Sequence, residues 1–202
     1  TRYWSAKAQE DIRENSFDVV LTNPPFGKKL KIDESEILSL YDLGRKWKKN
    51  ENGIYEKTSL LADAQPPQIL FIERCLNLLS KNGRMCFISP ESIFCNPSHK
   101  YIVQYIKERA KISAIISMPE ELFQPYTHAK TCVVYLEKGK SIPDDKIFMG
   151  IARYCGHDSR GNETSRDDIP LIMEKYNQYI ENGDIERNHL GFVITEKDIR
   201  NN

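Results

Sequence analysis

The chain has 202 residues, 40% of them hydrophobic, enough to bury one sizeable core, and its 29 basic and 29 acidic residues cancel to a formal net charge of zero. No global field draws it to a polyanion or an acidic membrane, so any nucleic acid must be met by a local patch. Five cysteines (Cys75, Cys86, Cys95, Cys132, Cys155) form no CxxC pair, no apolar run reaches about 18 residues and no signal peptide opens the chain, a pattern of reduced thiols in a cytoplasmic protein with neither zinc nor a membrane span.

Apolar runs rich in β-branched residues alternate with helical periodicity, which predicts an α/β fold with crossover helices. Phe17 to Thr22 reads as the first strand. Residues 27–62 are charged with few periodic apolar positions, predicting a long loop with a short helix near 34–41. Pro66 and Pro67 suit a helix N-terminus, Ile69, Leu70, Ile72, Leu76 and Leu79 give that helix a buried side, and Asn82-Gly83 ends it. A second strand follows over 84–89. The next helix starts at Asn96-Pro97, buries Tyr101, Ile102, Tyr105 and Ile106, and leads to a third strand over 112–117. Beyond a loop at 118–130, strands are expected over 131–137 and 146–154, joined by a turn at 139–145 and able to pair as a hairpin. Residues 155–166 read as a loop, 169–180 as an amphipathic helix with Tyr176 and Tyr179 on one face, and 181–202 as a charged tail without a clear core.

The three strands of this β-α-β-α-β run end alike, in TNPPF, SPES and SMPEE. Ligands of an open parallel sheet bind at the carboxyl ends of its strands, so the three corners are expected to line one crevice. At the first corner Pro24 and Pro25 stiffen the backbone and remove N–H donors. The amide oxygen of Asn23 and the carbonyl of Pro24 then form a rigid acceptor pair beside the ring of Phe26, suited to one exocyclic amine held against an aromatic base. Such an amine is a poor nucleophile because its lone pair is delocalised; two acceptors out of the ring plane favour a more tetrahedral nitrogen aimed at an electrophile. A stiff strand-ending turn with a packed Phe is the plainer alternative.

NPPF behind FDVVLT resembles the catalytic motif of amino-group methyltransferases that use S-adenosylmethionine. The stretches QILFIERCLNLLSKNGRMCFISPESIF and IISMPEELFQPYTHAKTCVVYLEKG resemble the modification subunit of type I restriction systems and related N6-adenine DNA methyltransferases. The likeness runs over about residues 15–165 and includes GHDSRGN at 156–162; Glu121 and His128 stand where that family usually has glycine. The resemblance implies the carboxyl-side half of a doubly wound, Rossmann-like sheet with a terminal helical tail: a partial catalytic domain over 1–154 and a loop plus helical tail over 155–202. It also implies that Asn23, Pro24, Pro25 and Phe26 are catalytic, with Asn23 and Pro24 holding adenine N6 and bordering the S-adenosylmethionine, and Phe26 stacked on a base flipped out of the duplex. DNA and the specificity and restriction subunits are the partners it implies. None of the ten glycines forms a GxGxxG after a strand, so the main cofactor loop is expected upstream of Thr1 and the fragment is expected to be inactive alone.

Other features stay open between two readings. Lys28, Lys29 and Lys31, with Arg45, Lys46, Trp47, Lys48 and Lys49, form either a phosphate-contacting patch with Trp47 interleaved or a solvated basic loop. Tyr126, His128 and Lys130 either approach DNA or decorate a surface loop. His157, Asp158 and Arg160 suggest a metal or a turn, and Asp-Ser-Arg-Gly favours the turn. The acceptor could instead be a glutamine side chain or an RNA base, or the chain could be a silent assembly module. Strand 17–22, apolar on both faces, is expected to leave an open edge that residues 3–12 cover or through which the fragment self-associates.

Overall fold

The computed structural model describes residues 12–25 and 30–200. Their order is β1 (Phe17–Thr22), α1 (Ser35–Leu38), β2 (Arg45–Lys49), β3 (Tyr55–Leu61), α2 (Pro67–Leu78), β4 (Leu79–Pro90), α3 (Ser92–Cys95), α4 (Lys100–Lys107), β5 (Ala110–Ser117), β6 (Thr131–Lys138), β7 (Lys146–Ile151), β8 (Cys155–His157), β9 (Glu163–Asp167), α5 (Ile169–Asn182), β10 (Gly191–Thr195) and α6 (Glu196–Arg200). Six strands form one sheet in the order β1-β4-β6-β5-β7-β10. β1 and β4 pair in parallel, as do β5 and β7, whereas β6 runs antiparallel to both β4 and β5. β1, β4, β5 and β7 therefore all point the same way.

Period-two alternation sends Met85 and Phe87 of β4, Val134 and Leu136 of β6 and Ile112 of β5 to one face, where they meet Ile69, Ile72 and Leu76 of α2 and Ile102, Tyr105 and Ile106 of α4. The other face carries Phe148, Ile116, Val133 and Tyr135 against Ile172, Tyr176 and Tyr179 of α5, with the two tyrosine rings 5.2 and 6.0 Å from the Phe148 ring. Helices on both faces of one sheet make this an α/β fold. Among the described residues β1 is the terminal strand, and its Val19 and Leu21 are 47% and 74% exposed; residues 3–11 of the segment expected to cover this edge lie outside the described residues. Among the described residues no helix is long and apolar enough to cross a membrane.

Four expectations are corrected. Residues 30–62 hold more than a loop with the expected short helix, which is α1: β2 and β3 pair antiparallel, and Trp47 points inward, stacked on Tyr101 at 5.8 Å and edge-on to Tyr105 at 6.2 Å. Asn82-Gly83 does not end a helix. α2 passes directly into β4, and the pair, with Asn82 at φ 66°, sits where the register against β1 jumps from Phe17–Leu79 to Val19–Arg84. The strands at 131 and 146 do not form a hairpin, because β5 lies between them and uses both its edges; the link crosses the start of β5, tied by Gly139 N–H to Arg109 O and Ser141 N–H to Lys107 O. Residues 155–202 hold more than a loop and a tail: β8 and β9 pair, and β10 completes the main sheet against β7.

The hairpin is anchored through the turn before it. Glu73 of α2, 4% exposed, accepts from Asp42 N–H at 2.9 Å and Leu43 N–H at 2.7 Å, while Gln65 Nε2 donates to Leu43 O at 2.6 Å. Next to them Gly44 is packed so tightly that a Cβ there would overlap the Leu38 carbonyl. Because that neighbour is backbone, it cannot rotate away. Gly44→Ala is expected to cost about 3 kcal/mol, a fall in Tm of roughly 6–12 °C; an unchanged melting curve would show that the turn relaxes freely.

Candidate active site at the carboxyl edge of the sheet

Because β1, β4 and β5 share one direction, their carboxyl ends emerge along one edge, as the three similar corners led us to expect. Thr22 lies beside Phe87, two residues before Ser89; Ser89 pairs with Cys132, and Cys132 with Ser117. The second and third corners are tied together through the start of β6. Ser117 Oγ donates to the Glu91 carboxylate, which also pairs with Lys130 Nζ at 3.6 Å, and Glu91 N–H donates to Lys130 O. Met118 N–H donates to Thr131 O. Glu91 was missed by sequence reasoning; its place in SPES, one of three matching strand ends, was the available signal. The buried Thr131 hydroxyl has no hydrogen-bond partner among the described residues.

At the first corner Pro24 is buried while Asn23 and Pro25 are exposed. The Asn23 amide makes no hydrogen bond among the described residues, so its oxygen remains an available acceptor at the end of a parallel strand. Phe26, Lys28 and Lys29 lie outside the described residues.

The basic candidates are dispersed. Arg45 Nη1 donates to Ser59 O at 2.9 Å and Lys46 pairs with Asp63 at 2.8 Å, both within the hairpin, whereas Lys48 and Lys31 are exposed. Trp47 is not an open stacking platform, since its ring lies against Tyr101 and its indole N–H donates to Asp42 O. Tyr126 is 94% exposed in the loop that delivers the chain to β6, near exposed His128. Asp158 accepts from Arg160 N–H, Asn162 N–H and Asn162 Nδ2, and these bonds, the Asn162 side chain first, hold its carboxyl below the usual range. That is the turn favoured by the sequence, and among the described residues no three ligating groups gather to hold a metal. Burial pushes the Cys75 thiol up to about 11 and Cys132 up to about 12, and raises Cys86 and Cys155, so these four remain protonated near neutrality.

The sequence model of one protein family, described as N-6 DNA Methylase, matches residues 4–202. The chain is 22% identical over 180 residues to the type I restriction enzyme MpnII methylase subunit of Mycoplasma pneumoniae, covering 88% of this chain and 31% of that protein. It therefore spans about a third of the length of this curated relative. Among solved structures it is similar to the type I restriction-modification methyltransferase subunit of Streptococcus thermophilus, with a TM-score of 0.64 and 17% identity over 93% of this chain and 36% of that one. A Listeria monocytogenes chain described as a class I S-adenosylmethionine-dependent methyltransferase superposes with a TM-score of 0.57 and 20% identity over 83% of this chain and 43% of that one. Both likenesses show the fold: an α/β sheet of the methyltransferase type.

Proposed function

From the premise that the chain belongs to the N-6 DNA methylase family, we propose that the protein carrying it transfers a methyl group from S-adenosylmethionine to N6 of adenine in DNA, as the modification subunit of a type I restriction-modification system. The observation that carries this reading is the Asn-Pro-Pro corner itself: an exposed neutral amide without a hydrogen-bond partner among the described residues, next to a buried proline, at the carboxyl end of β1. The corner fits the methyl-accepting side of the reaction, with Asn23 and Pro24 bordering the donor. When bound, S-adenosylmethionine supplies an electrophilic methyl group on a sulfonium. Asn23 Oδ1 and Pro24 O accept from the N6 amine, hold it out of conjugation and aim its lone pair; Pro25 keeps the pair rigid and Phe26 stacks on the extruded base. The proton released after N–C bond formation leaves to solvent, so no strong base is needed at the corner.

The balanced net charge supports a division of labour in which a specificity subunit reads the sequence and a restriction subunit completes the complex in the cytoplasm. The reading is tested by incubating the intact protein with methyl-labelled cofactor and duplex DNA: label recovered as N6-methyladenine supports it, and label on RNA or on a protein glutamine instead sinks it. Phe26 gives a sharper version. Phe26→Trp should keep much of the activity and Phe26→Ala should lose it, as stacking of a base on an aromatic is worth about 1–3 kcal/mol. With 2-aminopurine at the target position, equal fluorescence for the parent and the Ala variant would leave Phe26 as ordinary packing.

A further inference from the structure

A cavity of about 400 Å³ lies where β7 leaves the sheet, walled by Glu121 from the turn after β5, by Arg153, Tyr154 and Cys155, and by the β8–β9 hairpin with His157, Ser159, Ser165 and Arg166. β7 is parallel to β5, with Ile151 beside Ser117, so the cavity opens on the edge that carries the Asn-Pro-Pro corner. The segment's charges divide by use. Asp158 caps its own turn, Asp168 Oδ2 accepts from Arg153 N–H at 2.8 Å and Tyr154 N–H at 3.2 Å, and Asp167 Oδ1 accepts from Ile169 N–H at 3.0 Å. These carboxylates are held in place by backbone N–H groups and keep their charge, but neither guanidinium is paired with them. The guanidinia of Arg153 and Arg166 meet no carboxylate within ion-pair distance among the described residues; Arg166 instead lies over the Tyr154 ring at 5.2 Å and donates through Nη1 to the Tyr154 hydroxyl at 3.4 Å. The hydroxyls of Ser159 and Ser165 have no hydrogen-bond partner among them either.

The imidazole beside them is already committed. His157 Nδ1 stands 3.0 Å from Asp158 O, which can only accept, so Nδ1 carries the proton, and Nε2 is left facing the Cys155 sulfur at 3.6 Å. That leaves two planar cations and two hydroxyl donors along the wall of a space ample for a phosphate and its flanking sugar, with Glu121 as the one wall carboxylate not bound to backbone. Guanidinia of this kind suit the oxygens of a phosphodiester.

We infer that Arg153 and Arg166, with Ser159 and Ser165, form a cradle for a backbone phosphate of the DNA whose adenine is held at Asn23. The inference rests on the reading that the protein works on DNA. Four strand spacings separate β1 from β7 along the edge, about 19 Å at roughly 4.8 Å each. A duplex covers that in about six base-pair steps, so one DNA reaches both places. The cradle positions the duplex and takes no part in the chemistry.

The test uses the intact protein and a duplex of about 30 base pairs, with affinity measured between about 50 and 200 mM salt. The double variant Arg153→Gln, Arg166→Gln is expected to bind about tenfold more weakly, with the slope of log K against log salt reduced by about 1. Tm, cofactor affinity and kcat at saturating DNA should be unchanged, and the Arg→Lys pair should restore the slope. Glu121→Gln should tighten binding about twofold by removing the opposing charge. If the parent protein methylates DNA but the double variant keeps its affinity and slope, or loses affinity with no change of slope, the cradle is overturned and the DNA reading stands. If the parent neither binds nor methylates DNA, both fall.

Discussion

Asn23→Ala in the intact protein is expected to lower methyl transfer by about 10²–10³-fold while leaving Tm and the affinities for cofactor and DNA close to those of the parent. The size follows from what the amide does: its bond to the amine strengthens only as the nitrogen becomes tetrahedral, so its removal raises the barrier without weakening the ground state. The stability half of the expectation follows from the structure. Asn23 is exposed and its side chain supports no other described residue, so truncation leaves neither a cavity nor an orphaned partner. Asn23→Asp separates acceptor from charge: it keeps an oxygen in place but puts an anion where the neutral amide stands, and should recover only part of the rate. Single-turnover kinetics with the cofactor bound gives the measurement. Near-normal turnover by the Ala variant would end the assignment of Asn23.

Glu73→Ala should be as damaging as many truncations of the apolar core, at about 2–4 kcal/mol. It strands the N–H groups of Asp42 and Leu43, each worth about 1–3 kcal/mol when left unpaired, and removes the carboxylate in hydrogen-bond reach of the buried Tyr105 hydroxyl. The β2–β3 hairpin, held by that turn and by Trp47, should then exchange its amides faster than the main sheet. Gln, keeping one acceptor, should lose less. Burial raises the pKa of Glu73 above the ordinary 4.5, outweighing the two backbone N–H bonds that lower it. The folded state therefore holds this proton more tightly than the unfolded chain, so the contribution is full below about pH 4.3 and is lost as the pH rises through the folded value. Glu73→Gln should remove that part of the pH slope in denaturant unfolding. A Glu73→Ala protein as stable as its parent would mean that solvent replaces the carboxylate.

What could be read in the sequence depended on whether its signal was local. The edge strand at 17–22 and the helix that begins at Ile169 follow from runs and periodicities within a dozen residues, and the shared edge of the three corners needs only that their strands point the same way. Trp47 was harder, because lysines on either side hide a period-two alternation; yet Asn52-Gly53, with Gly53 at φ 81°, is a strong hairpin signal between the two strands. β10 was obscured by its brevity, Phe192 to Ile194 being its whole apolar content. The place of β6 was not legible at all. Alternation shows that 131–138 is a strand but says nothing about which neighbour it takes, and that choice depends on the carry of 139–145 past β5. At the candidate site the Asn-Pro-Pro corner could be picked out from four consecutive letters, whereas the Glu91–Ser117–Lys130 tie joins residues up to 39 apart and was hinted at only by the likeness of SPES to the other two strand ends.

The seating of β6 between β4 and β5 has a consequence for synthesis. As the chain leaves the ribosome, β4 and β5 are complete before the strand that joins them exists, and each carries an edge of unpaired backbone N–H and C=O groups beside apolar side chains, Phe87 and Met85 on one, Ile112 and Ile115 on the other. At about 5–20 residues per second, the stretch from Ser117 to Lys138 takes roughly 1–4 s to appear. Throughout that interval the nascent protein can neither zip its sheet nor pair β4 to β5 without later having to part them, so a chain stalled or cleaved before Lys138 exposes two sticky strands to its neighbours. Ribosome pausing or premature termination within 118–138 is thus expected to leave β4 and β5 open to misassociation.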